Sequence, residues 1–147
     1  SKRSGLNVVY SCDEAYVAHT GISMLSLFKN NKDFEHITIY FIHKDVTENS
    51  LNLLRELAKE YDRELLILPI QKINSRLEIK TTGRHIETVY VKLFLGQLNG
   101  LDKVLYIDSD TIINSSLIGL WELDLSDVLV AGVDTTIVDS FPLLGLS

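Results

Sequence analysis

Asp108 and Asp110 stand one residue apart, directly after the run Val104-Leu105-Tyr106-Ile107. Four apolar residues rich in β-branched and aromatic types suit a strand buried on both faces of a parallel sheet. Such a strand delivers its next residues to the carboxyl edge of the sheet, where open α/β folds keep their ligands. In an extended chain side chains alternate, so both carboxylates would point to one side. Held roughly 6 to 7 Å apart, they would repel by roughly 2 to 3 kcal/mol at an effective dielectric of about 20. A hard divalent ion such as Mn²⁺ or Mg²⁺ takes oxygen ligands, removes that penalty and could then hold the diphosphate of a nucleotide. With 11 aspartates in 147 residues, chance supplies roughly one Asp-x-Asp. Position after the strand, and not spacing, therefore carries the inference. A solvated turn is the competing reading.

The elements that must position this pair read as an alternation. Leu6 to Ser11 predicts a first strand, with Cys12-Asp13-Glu14 at its carboxyl end. Residues 16 to 30 carry apolar side chains at 17, 18, 22, 24, 25, 27 and 28, which is helical spacing, with Asn30-Asn31 as the stop. Ile37 to His43 reads as a second buried strand. Thr47 caps a helix whose apolar face is Leu51, Leu54, Leu57 and Ala58. Leu65 to Ile70 is a third strand, and residues 71 to 84 read as a polar loop over the sheet edge. Glu87 to Leu98 returns to helical spacing and Gly100 ends it. Lys103 to Ile107 is the fourth strand, and Val128 to Val133 a fifth that ends at Asp134. The alternation predicts an α/β domain with a mostly parallel sheet flanked by helices, a single domain over residues 1–147. Asp13, Asp108/Asp110 and Asp134 follow strands one, four and five, so three acidic strand ends would converge on one rim.

Composition narrows the partners. The chain is 46% hydrophobic and 23% charged, ordinary for a globular protein. A formal charge of −6, with no Lys/Arg block longer than two residues, argues against nucleic acid or an anionic membrane as the main partner. The single cysteine, Cys12, precludes an internal disulfide and fits a reducing compartment. No run of 18 apolar residues and no signal-peptide pattern is present. A cytoplasmic location, at most peripheral to the inner face of a membrane, is the expectation.

Other chemistries lack their residues. There is no Gly-x-Gly-x-x-Gly, no Gly-x-x-x-x-Gly-Lys-Ser/Thr and no Gly-x-Ser-x-Gly, which speaks against a standard dinucleotide site, a P-loop and a hydrolase elbow. The four histidines, 19, 36, 43 and 85, are scattered without zinc spacing. A nucleotide held through a cation at Asp108 and Asp110, with Asp13 placed to read a base or ribose, is what survives.

The run Asp102-Lys103-Val104-Leu105-Tyr106-Ile107-Asp108-Ser109-Asp110, followed by Leu120-Trp121 and Asp124-Leu125, resembles glycosyltransferase family 8, which includes lipooligosaccharide galactosyltransferases and glycogenin. The opening Val8-Val9-Tyr10-Ser11-Cys12-Asp13-Glu14-Ala15-Tyr16 resembles the family's nucleotide-binding first loop, and Tyr90-Val91-Lys92-Leu93 its Tyr-x-Arg-Leu helix. The similarity runs from about Leu6 to Asp134. It implies a GT-A fold (Rossmann-like), a UDP-sugar donor, a Mn²⁺ or Mg²⁺ ion and hexose transfer with retention to a saccharide, a lipid-linked saccharide or another hydroxyl acceptor. On the resemblance Asp108 and Asp110 would hold the ion, with Asp108 and Ser109 also facing the donor. Asp13 would accept from uracil, and Ser11, Cys12 and Tyr16 would border the nucleoside. Lys92 would contact donor sugar or phosphate, and Asp134 the sugar or acceptor.

Three departures bear on this expectation. Ala15 stands where related enzymes often have Asn, and Lys92 replaces a forked donor by a point charge. The sequence also lacks the family's later Asn-Ala-Gly, Asp-Gln and His-x-x-Gly-x-x-Lys-Pro-Trp segments, to which the resemblance assigns a third metal ligand, a phosphate-binding lysine and much of the acceptor site. Bland alternatives stand beside each residue: Asp13 as a helix cap, Lys92 as a solvated helix residue, His85 as a loop histidine, Trp121 as core among Leu117, Leu120 and Leu123, and Cys12 as a small buried filler. A non-catalytic sugar-nucleotide-binding module and a sugar-1-phosphate nucleotidyltransferase are the rival functions, the second disfavoured by the acidic, glycine-free Cys12 to Tyr16. Exposed apolar surface on a part-domain could pair two copies into a homodimer.

Overall fold

The computed structural model describes residues 5–72, 101 and 103–124 of the chain. Strand β1 spans Leu6–Asp13 and is followed by a 3-10 turn at Glu14–Tyr16 and helix α1, Val17–Asn30. Strand β2 is Ile37–Lys44, helix α2 Glu48–Glu60 and strand β3 Glu64–Pro69. Strand β4, Leu105–Tyr106, and a short helix α3, Ile118–Trp121, complete the described elements. Residues 71–72, expected to open a loop, are helical. The rest of that passage, the helix expected over 87–98 and the strand expected over 128–133 lie outside the described residues.

Among the described residues the sheet has four strands in the order β3-β2-β1-β4, and every pairing is parallel. Leu6 faces Ile37 and the register runs unbroken to Asp13 opposite Lys44. The β-branched and aromatic content of β1 and β2 explains this pairing: Val8, Val9, Tyr10, Ile39, Phe41 and Ile42 are buried, and such side chains pack well on a pleated surface. Successive residues alternate between faces. Leu6, Val8 and Tyr10 with Ile37, Ile39 and Phe41 meet Met24, Leu27 and Phe28 of α1 and Leu51 and Leu54 of α2. On the opposite face Val9, Tyr40, Ile42 and Ile70 form a smaller cluster with Val104 and Tyr106.

Helix α2 begins as its sequence requires. Thr47 is extended (φ −67°, ψ 151°) and its hydroxyl accepts from the Ser50 amide. Asp45 and Asp62 both sit at φ 53° in the turns after β2 and α2, a conformation that Asp tolerates better than most residues. Between α1 and α2 a shallow apolar groove is lined by Val17, Ile22, Leu25, Leu53 and Leu57, with Ile22 and Leu53 exposed. No helix among the described residues is long and apolar enough to cross a membrane.

Strand β4 is shorter than its apolar run suggests. Only Leu105 and Tyr106 pair, with Val8 and Val9, and the Ile107 amide donates to Val9 O at 3.0 Å. Before them the Asn7 side-chain amide takes the Lys103 carbonyl at 3.3 Å, replacing a main-chain ladder bond. Leu105 packs on the main core and Val104 and Tyr106 on the opposite cluster. The run contacts both faces as expected, yet these three residues are half-buried and only Ile107 is buried.

Candidate donor site at the carboxyl ends of two strands

Strands β1 and β4 are parallel neighbours, so their carboxyl ends open onto the same edge of the sheet. Asp13 closes β1 and Asp108 follows β4 by two residues. The extended geometry assumed for Asp108-Ser109-Asp110 is not what forms. Ser109 and Asp110 lie in a turn, closed where the Thr111 hydroxyl donates to Asp108 O at 2.7 Å. Asp108 and Asp110 are both exposed and Ser109 between them is buried. The Ser109 hydroxyl donates to Ser11 O at 3.2 Å, tying the acidic turn to the end of β1. What seats the pair is therefore an inward serine, not strand alternation.

Around this tie stand several of the expected nucleoside-binding residues. Ser11 and Cys12 are half-buried. Cys12 Sγ accepts from Thr20 Oγ1 at 3.3 Å, and burial pushes the thiol's pKa up against the pull of the Thr20 and Ser109 hydroxyls. A raised thiol pKa fits a filler and not a nucleophile. Asp13 is exposed and Oδ1 accepts from the Ala15 amide at 3.0 Å, so the residue does cap the 3-10 turn. Tyr16 is half exposed, with its ring 5.4 Å from that of His19. Lys92 and Asp134 lie outside the described residues, as does His85. Trp121 packs at the edge of the main core, while Leu120 and Leu123 beside it are exposed. Lys103 Nζ stands 5.5 Å over the indole and donates to the carbonyls of Trp121 and Leu123, both at 2.8 Å.

Two exposed carboxylates make a hard-oxygen donor set. No group of three or more His, Cys, Asp or Glu that could hold a metal occurs among the described residues. The pair fits an ion that completes its shell from phosphate oxygens and water, as Mg²⁺ commonly does, and does not constitute a closed protein cage.

Three supports of this edge were not anticipated from sequence. Tyr10 OH meets Ser23 Oγ at 2.8 Å, and Ser23 Oγ meets Thr111 Oγ1 at 3.1 Å. Burial pushes the Tyr10 phenol up to about 12, so it keeps its proton at neutral pH. Further along α1, Ser26 Oγ accepts from the Ile113 amide at 2.8 Å, Asn30 Nδ2 donates to Ile113 O at 2.8 Å, and Asn31 Oδ1 accepts from the Leu117 amide at 2.7 Å. Finally, the Glu14 carboxylate accepts from the Thr47 amide at 2.9 Å and from the Ser50 hydroxyl at 2.6 Å. A signal for the second of these was present: Thr20, Ser23, Ser26 and Asn30 place polar residues at spacings of three, three and four, a stripe along one side of an otherwise apolar helix.

Parallel order 3-2-1-4 with helices packed on the sheet and an acidic turn after β4 defines a Rossmann-like α/β domain whose site lies at the carboxyl edge. The family model described as glycosyl transferase family 8 matches residues 7–142, and the chain belongs to that family. Among curated relatives, a putative glycosyltransferase of Haemophilus influenzae is 27% identical over 135 residues, covering 91% of this chain and 40% of its own length. The lipopolysaccharide 1,2-glucosyltransferase of Escherichia coli is 30% identical over 133 residues, 87% of this chain and 38% of its own. The chain thus spans about two fifths of these relatives. Among solved structures, the apo bifunctional glycosyltransferase WbbM superposes with TM-score 0.76 at 26% identity, covering 97% of this chain and 25% of that one. The galactosyltransferase LgtC, in complex with donor and acceptor sugar analogs, superposes with TM-score 0.62 at 25% identity, over 83% of this chain and 44% of its own. The fold is GT-A.

Proposed function

We propose that the chain carries the donor-binding part of a retaining, metal-dependent glycosyltransferase that moves a hexose from a UDP-sugar to a saccharide, a lipid-linked saccharide or another hydroxyl acceptor. The observation that carries the reading is the exposed pair Asp108/Asp110, fixed through Ser109 to the end of β1, where Asp13 caps the next turn and Tyr16 ends it. Family membership and the donor and acceptor analogs bound by LgtC support it.

Each residue then has a task. Asp108 and Asp110 would supply carboxylate oxygens to Mn²⁺ or Mg²⁺, and the chemistry such an ion would supply is neutralisation of negative charge on the diphosphate. Ser11, Cys12, Asp13 and Tyr16 border the nucleoside, and Ser109 holds the acidic turn against that border. Asp13 Oδ1 is engaged by the Ala15 amide, which fixes the carboxylate's orientation and leaves Oδ2 to accept from uracil. Lys92 and Asp134 are assigned to donor phosphate or sugar and to sugar or acceptor on the family resemblance. In the transfer the anomeric C–O bond breaks with its electron pair leaving on the diphosphate, a bond from the same carbon to the acceptor oxygen forms, and the acceptor hydroxyl's proton passes to the departing diphosphate or to water.

Calorimetric titration of UDP with and without Mn²⁺ tests the reading. Mn²⁺ should raise UDP affinity, and Asp108→Ala or Asp110→Ala should abolish that gain, a loss of about tenfold or more. Equal affinity with and without metal would overturn it. The alternative outcome is a module that binds the sugar nucleotide without transferring its sugar. Binding of UDP without consumption of UDP-sugar would select it.

A further inference from the structure

We propose that Tyr10, Ser23 and Thr111 are positioning residues, a line of three hydroxyls that holds the Asp108–Asp110 turn in the geometry a donor-bound divalent cation requires. The proposal rests on the function proposed above, because it concerns the same carboxylate pair.

The direction of the line follows from proton counting. Asp108 O can only accept, so the Thr111 hydroxyl spends its one proton there, at 2.7 Å. At the 3.1 Å contact Thr111 must then accept, and Ser23 donates. Ser23 in turn accepts at 2.8 Å from Tyr10, which keeps its proton. All three bonds point from the core to the Asp108 carbonyl, the arrangement in which each hydrogen bond polarises the next. Its inner members are rigidly held. Tyr10 lies within the paired length of β1, Ser23 lies mid-way along α1, and both are fully buried. The Ser109 hydroxyl on Ser11 O and Ser26 Oγ on the Ile113 amide grip the turn from either side.

A packing role alone does not call for these hydroxyls. Phe at 10 and Val at 111 would fill nearly the same space, and buried hydroxyls are costly unless hydrogen-bonded. What the line adds is a fixed carbonyl at Asp108, and with it a fixed start for the two-carboxylate turn. Groups that orient metal ligands without touching the metal commonly change metal affinity by roughly 10- to 100-fold.

The test uses Tyr10→Phe, Thr111→Val and the hydroxyl-retaining Thr111→Ser, with two readouts. In UDP titrations across a Mn²⁺ series, Thr111→Val should weaken the Mn²⁺-supported component about tenfold and Tyr10→Phe about threefold. Thr111→Ser should stay within about twofold of wild type, and metal-free UDP affinity should not move in any variant. Loss that is equal with and without metal, or a Thr111→Val protein that matches wild type, overturns the proposal. Amide hydrogen exchange over residues 109–113 without ligand is the second readout. Faster exchange in Thr111→Val and Tyr10→Phe, restored by Thr111→Ser, is expected; unchanged exchange overturns the positioning role. If the wild-type protein shows no Mn²⁺-supported UDP binding, the proposed function fails, and the exchange data still decide whether the line orders the turn.

Discussion

His43 is a buried histidine whose surroundings fix its tautomer. It closes the buried part of β2 in register with Cys12, and its ring stacks on Phe41 with centroids 5.9 Å apart. Nδ1 accepts from the Val46 amide at 3.4 Å, so Nε2 carries the proton of a neutral imidazole. That Nε2 is buried without a hydrogen-bond partner among the described residues. Burial holds its pKa below the ordinary 6.5, against the opposing pull of Asp45 and Glu48. As pH falls through 6.5 the unfolded chain takes up the proton first, so folding stability declines on acidification and is unaffected by this group at higher pH. Melting temperature recorded from pH 8 to 5 should fall below about pH 6.5. The His43→Phe variant should lose that part of the slope.

At the scale of elements, the start of α2 holds the loop after β1. Glu14 reaches across to Thr47 and Ser50, placing a carboxylate where the helix dipole favours one. The Ser50 hydroxyl and then the Thr47 amide hold its carboxyl below the ordinary 4.5. The clasp is complete above that pH and releases as the pH drops through the lowered value. Glu14→Gln puts a donor against the Thr47 amide in one rotamer and removes the charge in both. Exchange of the Ala15 and Tyr16 amides should therefore quicken while α2 stays folded. Thr47→Ala removes the cap itself and should cost about 1 kcal/mol, read as a lower denaturant midpoint with an unchanged slope. Together with the α1 side chains that grip residues 111–117, these contacts show helices serving as clamps on the site edge as well as cover for the core.

Among the described residues the core lies under the acidic turn, and Tyr10 and Ser23 reach from the first toward the second. The main core runs from Leu6 and Val8 through Phe41 to Leu51, and the acidic turn rides on its rim. Phe41 is fully buried, so Phe41→Ala should destabilise by about 3 to 5 kcal/mol. Leu120 is 45% exposed, and Leu120→Ala should fall within about 0.5 kcal/mol of wild type. Chemical denaturation checks both. Asp108→Ala, an exposed change, should likewise leave the unfolding midpoint near that of wild type while removing the metal response, and this contrast separates a ligand from a structural residue.

The alternating apolar runs by themselves determined β1, β2, β3, the two long helices and the Thr47 cap to within a residue or two, because burial on a sheet or helix face imposes a short local period. They also located the acidic turn at the end of a strand. They did not determine how that turn is held. Period-two reasoning needs an extended chain, and the chain leaves β4 at Tyr106 and turns at Ser109 and Asp110. Asp13's cap was legible, being two residues from its donor, whereas Tyr10, Ser23 and Thr111 are separated by 13 and 88 residues. The polar stripe of α1 marks Ser23, but nothing periodic marks its pairing with hydroxyls so distant in sequence. Only the packing of α1 between β1 and the segment after β4 brings them into line, so the tertiary structure alone decided what holds the carboxylate pair.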